Sequence, residues 1–460
     1  MEFIKYLLDL GGFIFVPMVM IIIGLIFRLN FRRAIKAGVT VGIGLIGMGL
    51  VSTLTENSLS PVVKILVEKL NLNLIAIDVG GGPAAAVGFA SALGGILIPI
   101  ILGVNFIMIL LRLTKTMNVD IYNFWYFAIT AGIVQITTGS TMLAILAAIT
   151  HAVLSLKMAD LTAKRLQKVV GIDKISIPHG FAAASVPLFI VLEKIYSKIP
   201  FLNKEKVDKK KDSNPSKFKP IGDIIADPVL LGVILGAIFG IVAGYDLKGI
   251  LTTTMNTAGI MMLFPRMVKL IVEGLMPISE AAKKFLNKRF ADRELYIGLD
   301  SAVTLGHPTT VNIGMLMIPI FLIFAAILPG NTTLPLGEVP FAPFYVCMAT
   351  VVHKGDKLKT FISSLIFLPL VLYISSWAAP FFTEMATAQG YTLVQSGQLA
   401  VTTALGNLFI LIPALLAKIP VIGAVLLVAI MAVVTFFSLK AEKLEEKNLE
   451  ERNIEKSLNA

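Results

Sequence analysis

Between Gly11 and Phe27, seventeen consecutive residues carry no charge. Crossing the apolar core of a bilayer takes roughly 20 apolar residues of helix. Comparable stretches recur along the 460-residue chain at 37–53, 95–111, 121–134, 141–156, 228–245, 251–268, 313–329, 341–353, 360–378 and 419–439. Hydrophobic residues make up 56% and charged residues 15%, where soluble domains carry roughly a quarter charged. One soluble core could not bury that much apolar surface. The reading is an all-α polytopic membrane protein of about eleven transmembrane helices. The 40 Lys and Arg against 29 Asp and Glu leave a charge of +11. In a chain this apolar, the excess reports membrane topology rather than nucleic-acid binding.

The chain repeats itself. A shift of 216–222 positions brings Asn30-Phe31-Arg32 onto Asp246-Leu247-Lys248 and Leu59-Ser60-Pro61 onto Leu275-Met276-Pro277. The same shift brings Ile98-Pro99-Ile100 onto Ile318-Pro319-Ile320, Asp78 onto Asp300, and Lys198-Ile199-Pro200 onto Lys418-Ile419-Pro420. Two repeats are expected, 1–202 and 222–439. A lysine-rich linker at 203–221 joins them and a charged tail at 440–460 follows.

Basic residues favour the cytoplasmic side of a membrane. Loop 28–36 has four Lys and Arg and its partner 244–252 has one; loop 54–77 has two and 266–297 has seven. Segment 112–123 has two and 330–341 none; 135–141 has none and 353–359 three; 151–175 has five and 371–394 none. The bias alternates along each half and reverses between halves, as inverted-topology repeats require. This topology puts the N-terminus outside, the C-terminus in the cytoplasm, and 35 of the 40 basic residues on the cytoplasmic face. Such a cationic face would steer an anionic partner.

Stretches 78–111 and 298–329 are too long for one helix, and each opens on an acid and a Gly/Pro break: Asp78-Val-Gly-Gly-Gly-Pro83, and Asp300 followed by Gly306-His307-Pro308. They are read as a re-entrant segment plus a span; 176–193 and 395–416 are read as re-entrant too. Paired interruptions in two inverted halves point to a transporter's binding site. The candidate substrate ligands are Asp300, His307, His179, Gln135, Thr138 and the turn residues Gly81, Gly82 and Pro83. Neutral hydrogen-bonding groups with one carboxylate suit a hydroxyl-rich solute. Asp300 either contacts substrate or caps a re-entrant helix. Asp78, nearer a long loop, is read as a cap, and His151 and His353 as interfacial anchors. The lone cysteine, Cys347, is read as packing. No cofactor, metal cluster or catalytic nucleophile motif is present in the sequence.

Several motifs resemble one family: Gly298-Leu-Asp-Ser-Ala-Val-Thr-Leu-Gly-His-Pro308, Ile177-Pro-His-Gly180, Asn118-Val-Asp-Ile-Tyr-Asn-Phe-Trp125, Thr138-Gly139-Ser140 and Ala243-Gly-Tyr-Asp-Leu-Lys-Gly249. They resemble the galactitol-type enzyme IIC of the bacterial phosphoenolpyruvate-dependent phosphotransferase system and, more distantly, its ascorbate-type permeases. The chain departs from the family pattern at Gly80–Pro83 and at Gln135. The resemblance implies a homodimeric permease in the cell membrane. Scaffold segments would be 11–77 and 228–297 and core segments 78–200 and 298–418, with the core sliding as an elevator. It also implies a sugar-alcohol substrate, phosphorylated by a separate IIB subunit that a IIA subunit supplies. The rival readings are an ion-coupled secondary transporter, with Asp300 as the ion site, and an intramembrane enzyme using Asp300 and His307.

Overall fold

The computed structural model describes residues 12–69, 74–91, 93–202, 227–289, 294–335, 337–338, 341–394 and 396–458. The linker expected at 203–221 lies outside these residues. In chain order the elements are α1 (Gly12–Ile26), α2 (Phe31–Lys69), β1 (Ala76–Asp78), α3 (Gly81–Ala90), α4 (Gly94–Leu110), β2 (Thr116–Asn118), α5 (Trp125–Thr138), α6 (Thr141–Val170), β3 (Ile175–Ser176) and α7 (Gly180–Tyr196). The second half continues with α8 (Pro228–Ala243), α9 (Leu247–Arg289), β4 (Tyr296–Gly298), α10 (Pro308–Ile327), β5 (Thr333–Leu334), α11 (Ala342–Val352), α12 (Lys357–Ala388), β6 (Leu399–Val401), α13 (Leu408–Ala417) and α14 (Gly423–Leu458). Among the described residues five helices are long and apolar enough to cross a bilayer, and a sixth follows if α3 and α4, which meet at 90°, form one span. This is a multi-pass membrane protein.

The expectation of an all-helical chain needs one correction. Six short strands form two three-stranded parallel sheets, ordered β5-β1-β6 and β2-β4-β3. Each central strand comes from one half of the sequence and both its neighbours from the other. Strands of two or three residues leave no readable alternation, and inside a membrane protein their backbone groups are paired only because the partner half supplies the ladder.

Two further corrections concern length. Segments 54–77 and 266–297 are not loops from end to end, because α2 runs 39 residues and α9 runs 43. At 1.5 Å per residue α9 extends about 65 Å, more than twice an apolar bilayer core. Its glutamates and lysines suggested a loop, yet both are good helix formers, and the helix carries on past Pro277 to Arg289. Conversely, α11 has eleven residues where a full crossing was expected over 341–353. The last span and the tail are one helix, α14, through Leu458.

Helices α1, α2, α9 and α8 pack side by side as one group. Gly232, Gly236 and Gly240 bring α8 against α9: a Cβ at these positions would fall 2.7, 2.6 and 2.8 Å from the Cα atoms of Ala258, Thr254 and Ile250. Small residues four apart let helix backbones approach closely in a bilayer, where dispersion rather than water drives association. The second group holds the buried centre. Helices α5, α6, α7, α11, α12 and α13 interlock there around residues such as Ile129, Ile133, Phe189, Val346, Leu372 and Phe382, all less than 2% exposed.

Candidate functional site

All six strands are followed within a few residues by a wall of one cavity of about 380 Å³. Gly81 and Gly82 follow β1; Asp120, Tyr122 and Asn123 follow β2; His179 and Phe181 follow β3. Asp300 follows β4, Glu338 and Phe341 follow β5, and Ala404 follows β6. Parallel strands put their carboxyl ends on one side, where ligand sites of parallel sheets usually lie. The volume falls in the range of roughly 300–1,000 Å³ typical of small-molecule sites. Trp125, Tyr126, Phe344 and Tyr345 supply much of the apolar wall, and Met20, Val41, Ile271 and Leu275 close it from the α1–α2–α9 group.

The polar end belongs to Asp300. Its Oδ1 accepts from Ala302 N at 2.6 Å, capping the 3-10 turn Ser301–Gly306. Its Oδ2 accepts from Asn123 Nδ2 at 2.6 Å, and the same amide nitrogen reaches Asp120 at 2.8 and 3.1 Å. Thus Asp300 caps a turn, one of the two roles the sequence left open, and also lines the cavity. A ring nitrogen of His179 and oxygens of Asp120 and Asp300 all lie within 4.8 Å of one another. His179 caps α7, its Nδ1 accepting from Phe181 N and Ala182 N at 3.2 Å each.

Across the cavity, Asp78 is 3% exposed and is not the cap of α3, a position Gly80 holds. Asp78 Oδ1 accepts from Gly80 N (2.9 Å); Oδ2 accepts from Glu338 N (3.1 Å) and Thr403 Oγ1 (2.6 Å). Asp78 therefore holds the Glu338 loop in place, while the Glu338 side chain faces the cavity. The crossing is tight. Gly80 has φ +81°, and a Cβ on Gly337 would lie 2.4 Å from Gly80 N, so only glycine lets the two loops pass.

Of the residues singled out in the sequence, Asp300, His179, Gly81 and Gly82 line the cavity. Pro83, on α3 beside them, is not among the lining residues. Gln135 and Thr138 do not reach it. They lie ten or more residues beyond Trp125 on α5, about 15 Å up the helix, where Thr138 bonds Val134 O. His307 is carried away by the 3-10 turn, caps α10 through Thr309 N, and packs near Gly355. His151 and His353 are not interfacial anchors. His151 is 0% exposed and bridges Thr130 and the Gly180 carbonyl, and His353 is 3% exposed and bridges Glu193 and Ser363.

Sequence reasoning did not single out the cavity residues Asp120, Asn123 and Glu338, having placed Asp120 and Glu338 in segments 112–123 and 330–341 between spans and Asn123 at the start of the span 121–134. A usable signal existed: Asp120 and Glu338 are 218 positions apart, within the repeat offset.

A multi-pass membrane protein with a mainly apolar cavity, polar at the strand ends, between two helix groups has the layout of a small-solute carrier. Comparison with known proteins gives the particular kind. Residues 6–397 match the model of the family described as the PTS system sugar-specific permease component, and the chain belongs to that family. It is 51% identical over 437 residues to the "Putative permease IIC component" of Escherichia coli (strain K12), covering 95% of this chain and 99% of the relative. It is 36% identical over 389 residues to the galactitol-specific EIIC components of Escherichia coli strains K12 and O157:H7, covering 85% of each chain. The protein is thus the permease component of a phosphotransferase system, a transporter subunit working with the system's other components.

Proposed function

We propose that the protein translocates a sugar alcohol of the galactitol type and presents it in the cavity to a phosphorylated IIB subunit, itself charged by IIA. The observation that carries this reading is the lining: carboxylates, an amide and an imidazole at the strand ends, with aromatic walls between. Such a surface offers a polyol both acceptors and donors while its carbon chain lies on apolar rings. Cells expressing this chain with IIA and IIB should accumulate radiolabelled galactitol as a phosphate ester, and cells lacking IIB should not. Equal accumulation of free galactitol in both would refute coupling to phosphoryl transfer and favour ion-coupled transport.

The proposed architecture is an inverted repeat of 1–202 and 222–439 with eleven crossings, working as a homodimeric elevator. The exchange of strands supports the repeat: β1 and β4 occupy matching central places, each flanked by strands of the opposite half. Asp78 ends β1 and Asp300 follows the matching β4, while Glu338 and Asp120 follow the matching β5 and β2. The cavity lies where the core group meets α1, α2 and α9, as a sliding core requires. The topology makes a second prediction. Lys168 and Gln389 are exposed, and Cys347 is buried. Lys168→Cys should react with an impermeant thiol reagent only from the cytoplasm, and Gln389→Cys only from outside. Reaction of both from one face would overturn the inverted arrangement.

A further inference from the structure

The phosphoryl transfer that this permease serves needs a group to take the proton leaving the sugar hydroxyl. Four residues of the cavity wall could take that role, Asp120, His179, Asp300 and Glu338. Asp120 and Glu338 are 8% and 7% exposed, Asp300 is the most open of the three carboxylates, and hydrogen bonds separate it from His179. His179 Nδ1 faces two backbone N–H donors, Phe181 N and Ala182 N, both at 3.2 Å. A nitrogen that accepts twice must keep its lone pair, so a neutral ring carries its hydrogen on Nε2. Protonating the ring would set a new N–H against the two amide hydrogens that open α7. His179 is therefore a donor to the cavity, tautomerically fixed, and cannot act as the base. The same argument weighs against a metal held by Asp120, His179 and Asp300, because an Nε2 that bears hydrogen has no lone pair to give.

Asp300 has the opposite character. Both oxygens only accept, Oδ1 from Ala302 N and Oδ2 from Asn123 Nδ2, each at 2.6 Å. Those bonds fix the carboxylate's orientation, and further lone pairs remain for a hydroxyl. Asp120 also lines the cavity but is 8% exposed and tied to the same amide, whereas Asp300 is half-buried and the more open of the two.

We propose that Asp300 is the proton acceptor of the phosphoryl transfer and that His179 Nε2–H holds the attacking hydroxyl, with Asn123 and Asp120 positioning Asp300. This rests on the reading that the cavity is the sugar site. The hydroxyl oxygen accepts from His179 and donates to Asp300. As it attacks, an O–P bond forms and the bond from phosphorus to the IIB donor atom breaks, its electron pair leaving with that atom. The hydroxyl proton passes to Asp300. The family's own system supplies the phosphoryl donor, and the step needs no further reactant. A positioned base contributes roughly 10²–10⁴-fold to such a step.

The test uses the full-length chain in proteoliposomes, galactitol as probe and phosphorylated IIB as donor. Binding is measured by calorimetry, and phosphorylation by product formation at saturating and limiting galactitol. Asp300→Asn still caps the turn but sets its NH₂ against the Asn123 amide, so galactitol affinity should fall about tenfold while kcat falls at least 100-fold. Asp300→Ser, a second capping variant, should behave alike. His179→Asn keeps an acceptor for the α7 amides and a donor for the cavity. It should raise KM about tenfold with less than a tenfold loss in kcat. A 100-fold kcat loss in His179→Asn with Asp300→Asn near wild type would make His179 the base. Equal losses of binding and rate in both Asp300 variants would reduce Asp300 to a binding group; either result overturns the proposal. Gly82→Phe separates the underlying reading, since a side chain there meets open space beside the cavity. It should abolish binding; wild-type binding would place the sugar elsewhere and refute the site itself.

Discussion

Lys157→Met should destabilise the protein by about 3–5 kcal/mol, the usual cost of removing one partner from a buried ion pair. The Lys157 side chain is 0% exposed, as is that of Asp160, and Glu442 is 10% exposed. The ammonium donates to Leu113 O (2.7 Å), Asp160 Oδ2 (2.8 Å) and Glu442 Oε1 (3.1 Å). Methionine fills a similar volume and removes the charge, leaving two carboxylates facing each other without water. The network joins three parts of the fold: α6 carries Lys157 and Asp160, α14 carries Glu442, and Asp160 Oδ1 accepts from Lys115 N and Thr116 Oγ1 at the start of β2. Because β2 delivers Asp120 and Asn123 to the cavity, galactitol affinity should fall along with stability. The melting midpoint in detergent should drop by roughly 3–5 °C. Lys157→Met combined with Asp160→Asn and Glu442→Gln should recover most of the loss, since a fully neutral cluster leaves no uncompensated charge. A single variant as stable as wild type would show that the cluster is hydrated and the ion pairs slight.

Asp78→Asn should cost galactitol binding at least tenfold although Asp78 is not among the residues lining the cavity. Its two oxygens take three donors, of which Gly80 N and Glu338 N are backbone amides that cannot turn round. However the asparagine is placed, its NH₂ group faces one of those amides. A buried donor left without an acceptor costs about 1–3 kcal/mol. The loop carrying Glu338 would shift to relieve it, and the Glu338 carboxylate would leave the cavity wall. Thr403→Val removes only the hydroxyl bond and should have the smaller effect. Calorimetric titration of galactitol into the three proteins checks the order wild type, Thr403→Val, Asp78→Asn. Wild-type affinity in Asp78→Asn would disconnect Asp78 from the site.

Part of the cavity wall could be read in the chain, and the limits have a physical pattern. Asp300 and His179 stood out because an acid or a histidine beside Gly/Pro breaks in apolar sequence is expensive unless it has work to do. Gln135 and Thr138 were chosen by the same polarity argument, and neither is among the residues lining the cavity; they sit ten and thirteen residues beyond Trp125 on α5. His307 is not among them either, because a six-residue 3-10 turn separates it from Asp300, a geometry that spacing alone does not specify. Asp120 and Glu338 were overlooked because each sits in a segment that reads as a connection between spans. They become cavity residues only when short strands from the opposite half pair beside them.

By itself the sequence determined the solvent in which this chain folds, the places where its helices break and the family to which it belongs. Those properties are written in local composition: apolar length, the position of glycine and proline, and the order of a few motifs. Only the tertiary structure decided which polar side chains share one cavity and what each can do there. Three-residue strands pair across more than 200 residues of chain, and His179's fixed tautomer depends on two amides opening a helix. Such interactions exist only between groups already brought within about 3 Å, and no window along the sequence contains them.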